Sequence, residues 1–372
     1  MTATLPRPAK PSILSRLPVV RQLRQSVGLQ RGMLVAGLII TAVYVICAVF
    51  AQWIAPYGFA QLRDASGPFG SQEPPSPGHI WGTTVGGYDV FSRVIWGAQT
   101  ALEVMVVAIV LSIFVGVFLG LVSGYLGGWL DRVLVVIADA IYAFPSLLLA
   151  IVMSIVISGG QSNLYGGILA AAISITVVYI PQYFRVIRSE AVRIKSEAFV
   201  ESAMVIGAST PRIMFRHVLR NSTRTLPLIF TLNASEAVLT LAGLGFLGFG
   251  IEPTAAAEWG YDLNKSLSDV TSGIWWTAIF PGLAIVLSVL GVTLVGESLN
   301  DLADPRLRGR RAVAAAGPTP AGGSTRHARR VERPVGTGDV AQTSVVPGGP
   351  LTAGPAGLAG LEDTDGGSDR DR

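Results

Sequence analysis

The apolar residues of this chain are concentrated in long runs that are separated by polar segments. Four runs contain no charged residue, at 33–54, 104–125, 164–184 and 276–295. Two more contain a single acid each, Asp139 within 133–157 and Glu236 within 226–247. A hydrocarbon core about 30 Å thick is crossed by roughly 20 apolar residues of helix. The pattern therefore predicts an all-α membrane protein with six transmembrane helices.

The composition indicates the same class of protein. Half of the 372 residues are hydrophobic, only 14% are charged, and the mean hydropathy is +0.53. A chain of this composition lacks the polar residues that would cover a soluble globular protein of its length. Its single cysteine, Cys47, lies within the first apolar run, so the chain offers no second thiol for a disulfide or a metal site.

The distribution of basic residues predicts the orientation. If the N-terminus is cytoplasmic, all but three of the 28 Lys and Arg residues fall on the cytoplasmic side. Because positive charge is enriched in cytoplasmic loops, both termini are predicted to be cytoplasmic. Cytoplasmic tails at 1–32 and 309–372 then flank a membrane domain at 33–308. The second tail is rich in Gly, Pro and Ala and is predicted to be disordered.

The formal net charge of +4 follows from this topology. Basic residues beside a membrane attract anionic lipid headgroups, so membrane lipid is an expected partner. The chain contains no recognisable groove-reading module, and we therefore expect no nucleic-acid partner.

Small residues recur at four-residue spacing in the second apolar run, at Ser112, Gly116, Gly120 and Gly124. On a helix they form one face, and small side chains let two helices approach closely in a bilayer. We interpret this face as a packing surface rather than the lining of a pore.

The cytoplasmic loop at 185–224 predicts two short helices. Phe199, Ala203 and Ile206 share a narrow arc at helical spacing, with Glu201 nearly opposite. Gly207 then supplies a left-handed stop. Thr210 and Pro211 are typical of the N-cap and first position of a second helix.

The second loop helix is predicted to carry a basic stripe. Arg212, Arg216, Arg220 and Arg224 recur every four residues. The stripe has two interpretations, contact with lipid phosphates and contact with a partner protein.

Three polar residues in the apolar runs are candidates for a function inside the membrane. Asp139 lies within reach of Arg132 or Arg185, and a structural ion pair is favoured over a substrate contact. Asn233 and Glu236 are predicted to face the bundle interior, because an ionised group facing lipid is costly. Glu236 either lines a translocation path or is a buried structural acid.

The two long segments on the predicted outer side, at 56–93 and 250–275, offer fewer candidates. His79 is interpreted as a surface hydrogen-bonding residue, because no second His or Cys accompanies it as a metal ligand.

Several motifs, in order along residues 30–308, resemble those of a known family. They are Asp139, Phe144-Pro-Ser-Leu-Leu148, Glu201-Ser-Ala203 with Gly207 after three further residues, Leu219-Arg220, Gly243-Leu-Gly-Phe-Leu-Gly-Phe-Gly250, Phe280-Pro-Gly-Leu-Ala-Ile-Val-Leu287 and Asp301-Leu-Ala-Asp-Pro-Arg-Leu-Arg308. The chain is similar to the inner-membrane permease subunits of binding-protein-dependent ABC importers, in the dipeptide, oligopeptide and nickel branch.

The resemblance implies a type I ABC importer permease fold in the bacterial cell membrane. It implies a second permease, two ATPase subunits and an extracytoplasmic solute-binding protein as partners. The first loop helix would dock on the ATPase through Phe199, Glu201, Ser202, Ala203, Ile206 and Gly207. The sequence contains no Gly-x-x-x-x-Gly-Lys-Ser/Thr run, so it has no P-loop; ATP and Mg²⁺ are expected on the ATPase, and no cofactor on this chain.

The chain departs from the family pattern at several positions. Ser202 replaces an alanine, Arg220 replaces a proline, and Thr84 and Tyr88 replace charged residues in the outer loop. These changes leave the cargo open among dipeptides, oligopeptides, nickel and other solutes.

Two other classes of protein fit the residues less well. A secondary transporter predicts internal repeats and several ionisable residues at mid-membrane, where the sequence has only Glu236. An intramembrane enzyme needs a histidine at membrane depth, and all three histidines fall in loops or the tail.

Overall fold

The computed structural model describes residues 29–159 and 164–303, which form a helical bundle with one small hairpin. The elements in chain order are α1 (Leu29–Val49), α2 (Ala51–Ile54), β1 (Arg63–Asp64), β2 (Gly67–Pro68), α3 (Val90–Leu126), α4 (Gly128–Tyr142), α5 (Ser146–Ser158), α6 (Leu164–Lys195), α7 (Ala198–Val205), α8 (Thr210–Arg212), a π-helical turn (Ile213–Val218), α9 (Leu219–Ser222), a 3₁₀ turn (Thr223–Thr225), α10 (Leu226–Phe246), α11 (Trp259–Lys265), α12 (Leu267–Thr271) and α13 (Trp276–Ala303). The two strands pair antiparallel, with Arg63 opposite Pro68. The predicted tails at 1–32 and 309–372 lie largely or wholly outside the described residues.

Five described helices, α1, α3, α6, α10 and α13, are long and apolar enough to cross a membrane. The predicted third span at 133–157 is not one continuous helix, which corrects the sequence interpretation. It is interrupted between Tyr142 and Ser146, and α4 and α5 meet there at 99°. Pro145 has no backbone donor and disfavours helical geometry in the residue before it, so the helix ends there. The described residues contain six spans only if this bent pair is counted as one.

The face of small residues packs α3 closely against α6, as the sequence predicted. The hydroxyl of Ser112 donates to Thr176 O at 3.1 Å. A Cβ atom on Gly116 would lie 2.6 Å from Tyr183 Cβ, and one on Gly120 would lie 2.6 Å from Phe184 O. Side chains at these positions would separate the two helices.

Two apolar clusters hold the bundle together. The larger cluster joins α3, α6 and α10 through residues such as Val104, Ile175 and Val238. The smaller cluster joins the ends of α3 and α6 to the loop helices; its members include Leu121, Ile187, Val200, Ile213 and Val218. The loop is therefore packed onto the bundle.

The segment that precedes α3 and the helix α11 are fixed to the start of α3 by buried polar contacts. Asp89 caps α3 by accepting from Ser92 N at 2.8 Å, and its other oxygen lies 2.9 Å from His79 Nδ1. His79 is only 7% exposed, so its interpretation as a surface residue is wrong. Aromatic rings surround it, with that of Phe69 at 4.7 Å. Arg93 forms a buried ion pair with Asp262 of α11 at 2.8 Å.

Candidate functional site

The first loop helix, α7, ends as the sequence predicted. Gly207 has φ +80°, a left-handed conformation that favours glycine. Its N–H donates to Met204 O and that of Ala208 donates to Ala203 O, both at 3.0 Å. These two bonds form a Schellman motif, which satisfies carbonyls that the end of a helix leaves free. The second helix begins at Thr210 with Ser209 as its N-cap position, one residue before the predicted cap.

The exposed face of α7 differs from the predicted arc. Of the three residues in that arc only Ala203 is buried, and it packs with Val200 in the smaller cluster. Phe199 is 44% exposed, and Ile206, which follows the last residue of α7, is 83% exposed. The face of α7 that packs against the bundle is the one that carries Val200 and Ala203, so Phe199 and Ile206 lie away from it. Glu201 and Ser202 are also exposed, and the Ser202 hydroxyl donates to Ala198 O at 2.8 Å. Exposed apolar side chains therefore lie at both ends of α7.

The basic segment after α7 is helical without interruption into α10. A π-helical turn, α9 and a 3₁₀ turn follow α8 directly, and Leu226 begins α10. Arg212, Arg216 and Arg220 are all exposed. Arg216 and Arg220 line an open cavity of about 500 Å³ beside Phe199.

The expected ion pair of Asp139 is formed with Arg185. Arg185 Nη2 lies 2.8 Å from Asp139 Oδ1, and the guanidinium lies 4.2 Å from the centre of the Tyr142 ring. Arg132 is not the partner. A second pair, Arg188 with Asp131, lies nearby and links α6 to α4.

Glu236 and Asn233 lie on different faces of α10. Asn233 is only 2% exposed, and its side-chain nitrogen has no hydrogen-bond partner among the described residues. Glu236 is exposed on the surface of the subunit, contrary to the expectation that it faces the bundle interior. The helical register places it with Leu232 and Leu239 on the one face of α10 that the other described helices leave uncovered.

Two cavities meet at Glu236 and Ser146, the first residue of α5. The smaller, of about 240 Å³, also contacts Tyr142 and Gln182. The larger, of about 460 Å³, is mostly apolar and extends along α10 toward Leu263 of α11. The break between α4 and α5 places Ser146 here, and sequence reasoning missed this residue. Pro145 was the signal in the sequence that could have identified Ser146, because a helix that starts after a proline places its first side chains at a bend.

Glu258, at the start of α11, was also missed from the sequence. Its carboxylate accepts the N–H groups of Gly260 and Tyr261, both at 2.7 Å, and so caps the helix. Complete burial raises the pKa of Glu258 to about 8. Gly245, near the end of α10, contacts this carboxylate so closely that a Cβ atom would clash with it. Glu258 thus ties α11 to α10.

The sequence is similar to that of known membrane transport proteins. Residues 116–309 match the family model of the binding-protein-dependent transport system inner membrane component. The chain is 38% identical to the glutathione transport system permease protein GsiD of Shigella flexneri serotype 5b (strain 8401) over 265 residues, which cover 71% of this chain and 84% of the relative. It is 36% identical over the same length to GsiD of Escherichia coli O157:H7. The chain therefore belongs to the family of binding-protein-dependent inner-membrane components and is a permease of the ABC importers in the peptide and nickel branch.

Proposed function

We propose that this chain pairs with a second, similar permease and forms with it the translocation path for a peptide-like or related small solute. An external binding protein delivers the solute, and two cytoplasmic ATPase subunits bind ATP and Mg²⁺ and drive the transport. The chain itself contributes no ATPase site and no cofactor. Similarity to permeases named for glutathione, a small peptide, supports this class of cargo.

The observation that carries the proposal is the meeting of two cavities at Glu236 on the open face of α10. A charged side chain near the centre of a lipid-facing helix costs roughly 2.5–3.5 kcal/mol. The position of Glu236 is therefore explained better if this face of α10 meets the second permease across a polar path than if it meets lipid. The mostly apolar cavity leads from the predicted outer side toward Glu236, and the smaller one continues beyond it.

The same arrangement supports a coupling role for α7. The exposed apolar side chains at its two ends, which are those of Phe199, Val205 and Ile206, are suited to a groove on the ATPase. Its buried face packs on the π-helical turn through Val200 and Ile213. Because helical backbone then runs unbroken to α10, a push on α7 can be passed to Glu236 as a rigid-body movement.

Replacement of Gly207 by valine tests this coupling. No atom lies within 4 Å of the position of a Cβ atom on Gly207, so valine would strain the backbone without a clash. A left-handed conformation costs a non-glycine residue roughly 1–2 kcal/mol, and valine resists it strongly. In vesicles that contain the complete importer, Gly207→Val should lower ATP-dependent uptake of a labelled peptide severalfold. The amount of subunit in the membrane should stay normal.

Gly207→Asn is the matched control, because asparagine adopts left-handed conformations readily. It should retain most of the uptake. Full uptake by Gly207→Val at normal abundance would remove α7 from the coupling mechanism.

A further inference from the structure

The structure assigns a preference for cationic groups to the smaller cavity at Glu236. We propose that Glu236, Ser146 and Gln182 form a subsite for a positively charged group of the solute, such as the primary ammonium of a peptide. This inference rests on the proposed translocation path and specifies the chemistry at one point along it.

The charges around the cavity do not cancel. Glu236 forms no ion pair with any residue in the described part of the chain. Arg185 follows Gln182 by one helical turn on α6, but its guanidinium is already paired with Asp139 at 2.8 Å. Glu236, Asp139 and Arg185 together carry one net negative charge. A cation in the cavity would neutralise this charge.

Helix dipoles do not reverse this balance. The bend between α4 and α5, beside Glu236, joins the C-terminal end of α4 to the N-terminal end of α5. The first end carries a partial negative charge and the second a partial positive charge of similar size. Because the two ends lie within four residues of each other, their fields largely offset one another. The carboxylate of Glu236 then dominates the potential in the cavity.

The uncharged polar groups of the cavity can also serve a cation. The side chains of Ser146 and Gln182 make no hydrogen bond with other residues that the structure describes, so both oxygens can accept one from a ligand. An ammonium group donates three hydrogen bonds and accepts none. A carboxylate, a hydroxyl and an amide oxygen match this demand. An anionic group could accept hydrogen bonds from the Ser146 hydroxyl and the Gln182 amide, but Glu236 would repel it.

Charge-matched thiol reagents test the inference whatever solute the importer carries. A Ser146→Cys variant is made in a Cys47→Ser background and assembled in vesicles with cysteine-free partner subunits. The cysteine is reacted with a cationic methanethiosulfonate, the ethylammonium reagent, and with an anionic one, the ethylsulfonate reagent. Each rate is divided by that of the same reagent with free cysteine.

The normalised rate should be higher for the cationic reagent, and Glu236→Gln should lower the cation-to-anion ratio about tenfold. A separate protein that keeps both Cys47 and Ser146 serves as the control, because Cys47 lies outside this cavity and its ratio should be unaffected by Glu236→Gln. A ratio at Ser146→Cys that does not change would overturn the cationic subsite and leave the path in place. If the thiol of Ser146→Cys is inert to both reagents, with and without trapped ATP, both the subsite and the path are overturned.

Discussion

At the residue scale, Glu258 shows how burial converts a helix cap into a pH-dependent contact. The carboxylate accepts two backbone N–H groups of α11 and fills the space that Gly245 leaves open. Burial raises its pKa to about 8 from an ordinary value of 4.5. The native protein therefore binds a proton between these two values that the unfolded chain releases.

This difference predicts the sign of a pH dependence. Stability should be greatest below about pH 4.5 as far as Glu258 is concerned, and should fall as the pH rises toward 8, by at most about 1.4 kcal/mol per pH unit. Glu258→Gln cannot titrate, so the decline in melting temperature between pH 6 and 8 should be shallower in this variant. Thermal unfolding in detergent micelles measures both proteins. Identical slopes would show that Glu258 is ionised throughout.

Individual residues were predicted from the sequence where a local rule applies. Gly207 was identified because a short apolar helix followed by glycine is typical of a left-handed stop. The partner of Asp139 was narrowed to two arginines by chain position. The burial of Glu258 and of His79 escaped prediction, because no local rule describes how the loops around them fold back, His79 onto Asp89 and Glu258 onto Gly245.

At the element scale, the contact of α3 with α6 depends on glycines of α3, because the gap between the two helices has no room for a larger side chain there. A Cβ atom on Gly120 would lie 2.6 Å from Phe184 O, whereas one on Gly282 in α13 would meet no atom closer than 4.0 Å. Both residues lie inside helices, so alanine gains the same helix propensity at each, up to about 1 kcal/mol. The difference between the two substitutions isolates the packing contribution.

Gly120→Ala should therefore destabilise the protein by about 1–3 kcal/mol, because the helices must move apart, whereas Gly282→Ala should be neutral or slightly stabilising. Each purified variant is heated in detergent to a series of temperatures, and size-exclusion chromatography of the heated samples gives its melting temperature. Equal melting temperatures would mean that the small-residue face carries no close contact.

Hydropathy predicted where the chain is apolar but not how each run is folded. It identified the positions of α1, α3, α6, α10 and α13, since a run of apolar residues depends on composition alone. The 99° bend between α4 and α5 depends on where their side chains pack, and an apolar window contains no such information. That bend brings Ser146 to Glu236, so the candidate path could not be assembled from the sequence.

At the scale of the whole molecule, one unbroken helical segment links the loop at 185–224 to the candidate path. It begins at Thr210 and continues to Phe246. Arg220 lies within it, where the family pattern has a proline. The sequence predicted that arginine lets the loop helix run on into the next span, and the structure confirms this continuity. We expect the continuous segment to transmit movements of α7 more rigidly than a broken one.

Arg220→Pro tests this stiffness. Proline removes a backbone donor and disfavours the helical conformation that Leu219 adopts, with φ −54° and ψ −49°, so the segment should break at α9. The complex should still assemble, because the family pattern carries proline at this position. The stimulation of ATP hydrolysis by added binding protein should fall severalfold. Arg220→Ala removes the charge but keeps the helix, and should leave the stimulation unchanged. If alanine lowers the stimulation as much as proline does, the guanidinium and its contacts, rather than a continuous helix, couple the ATPase to the path.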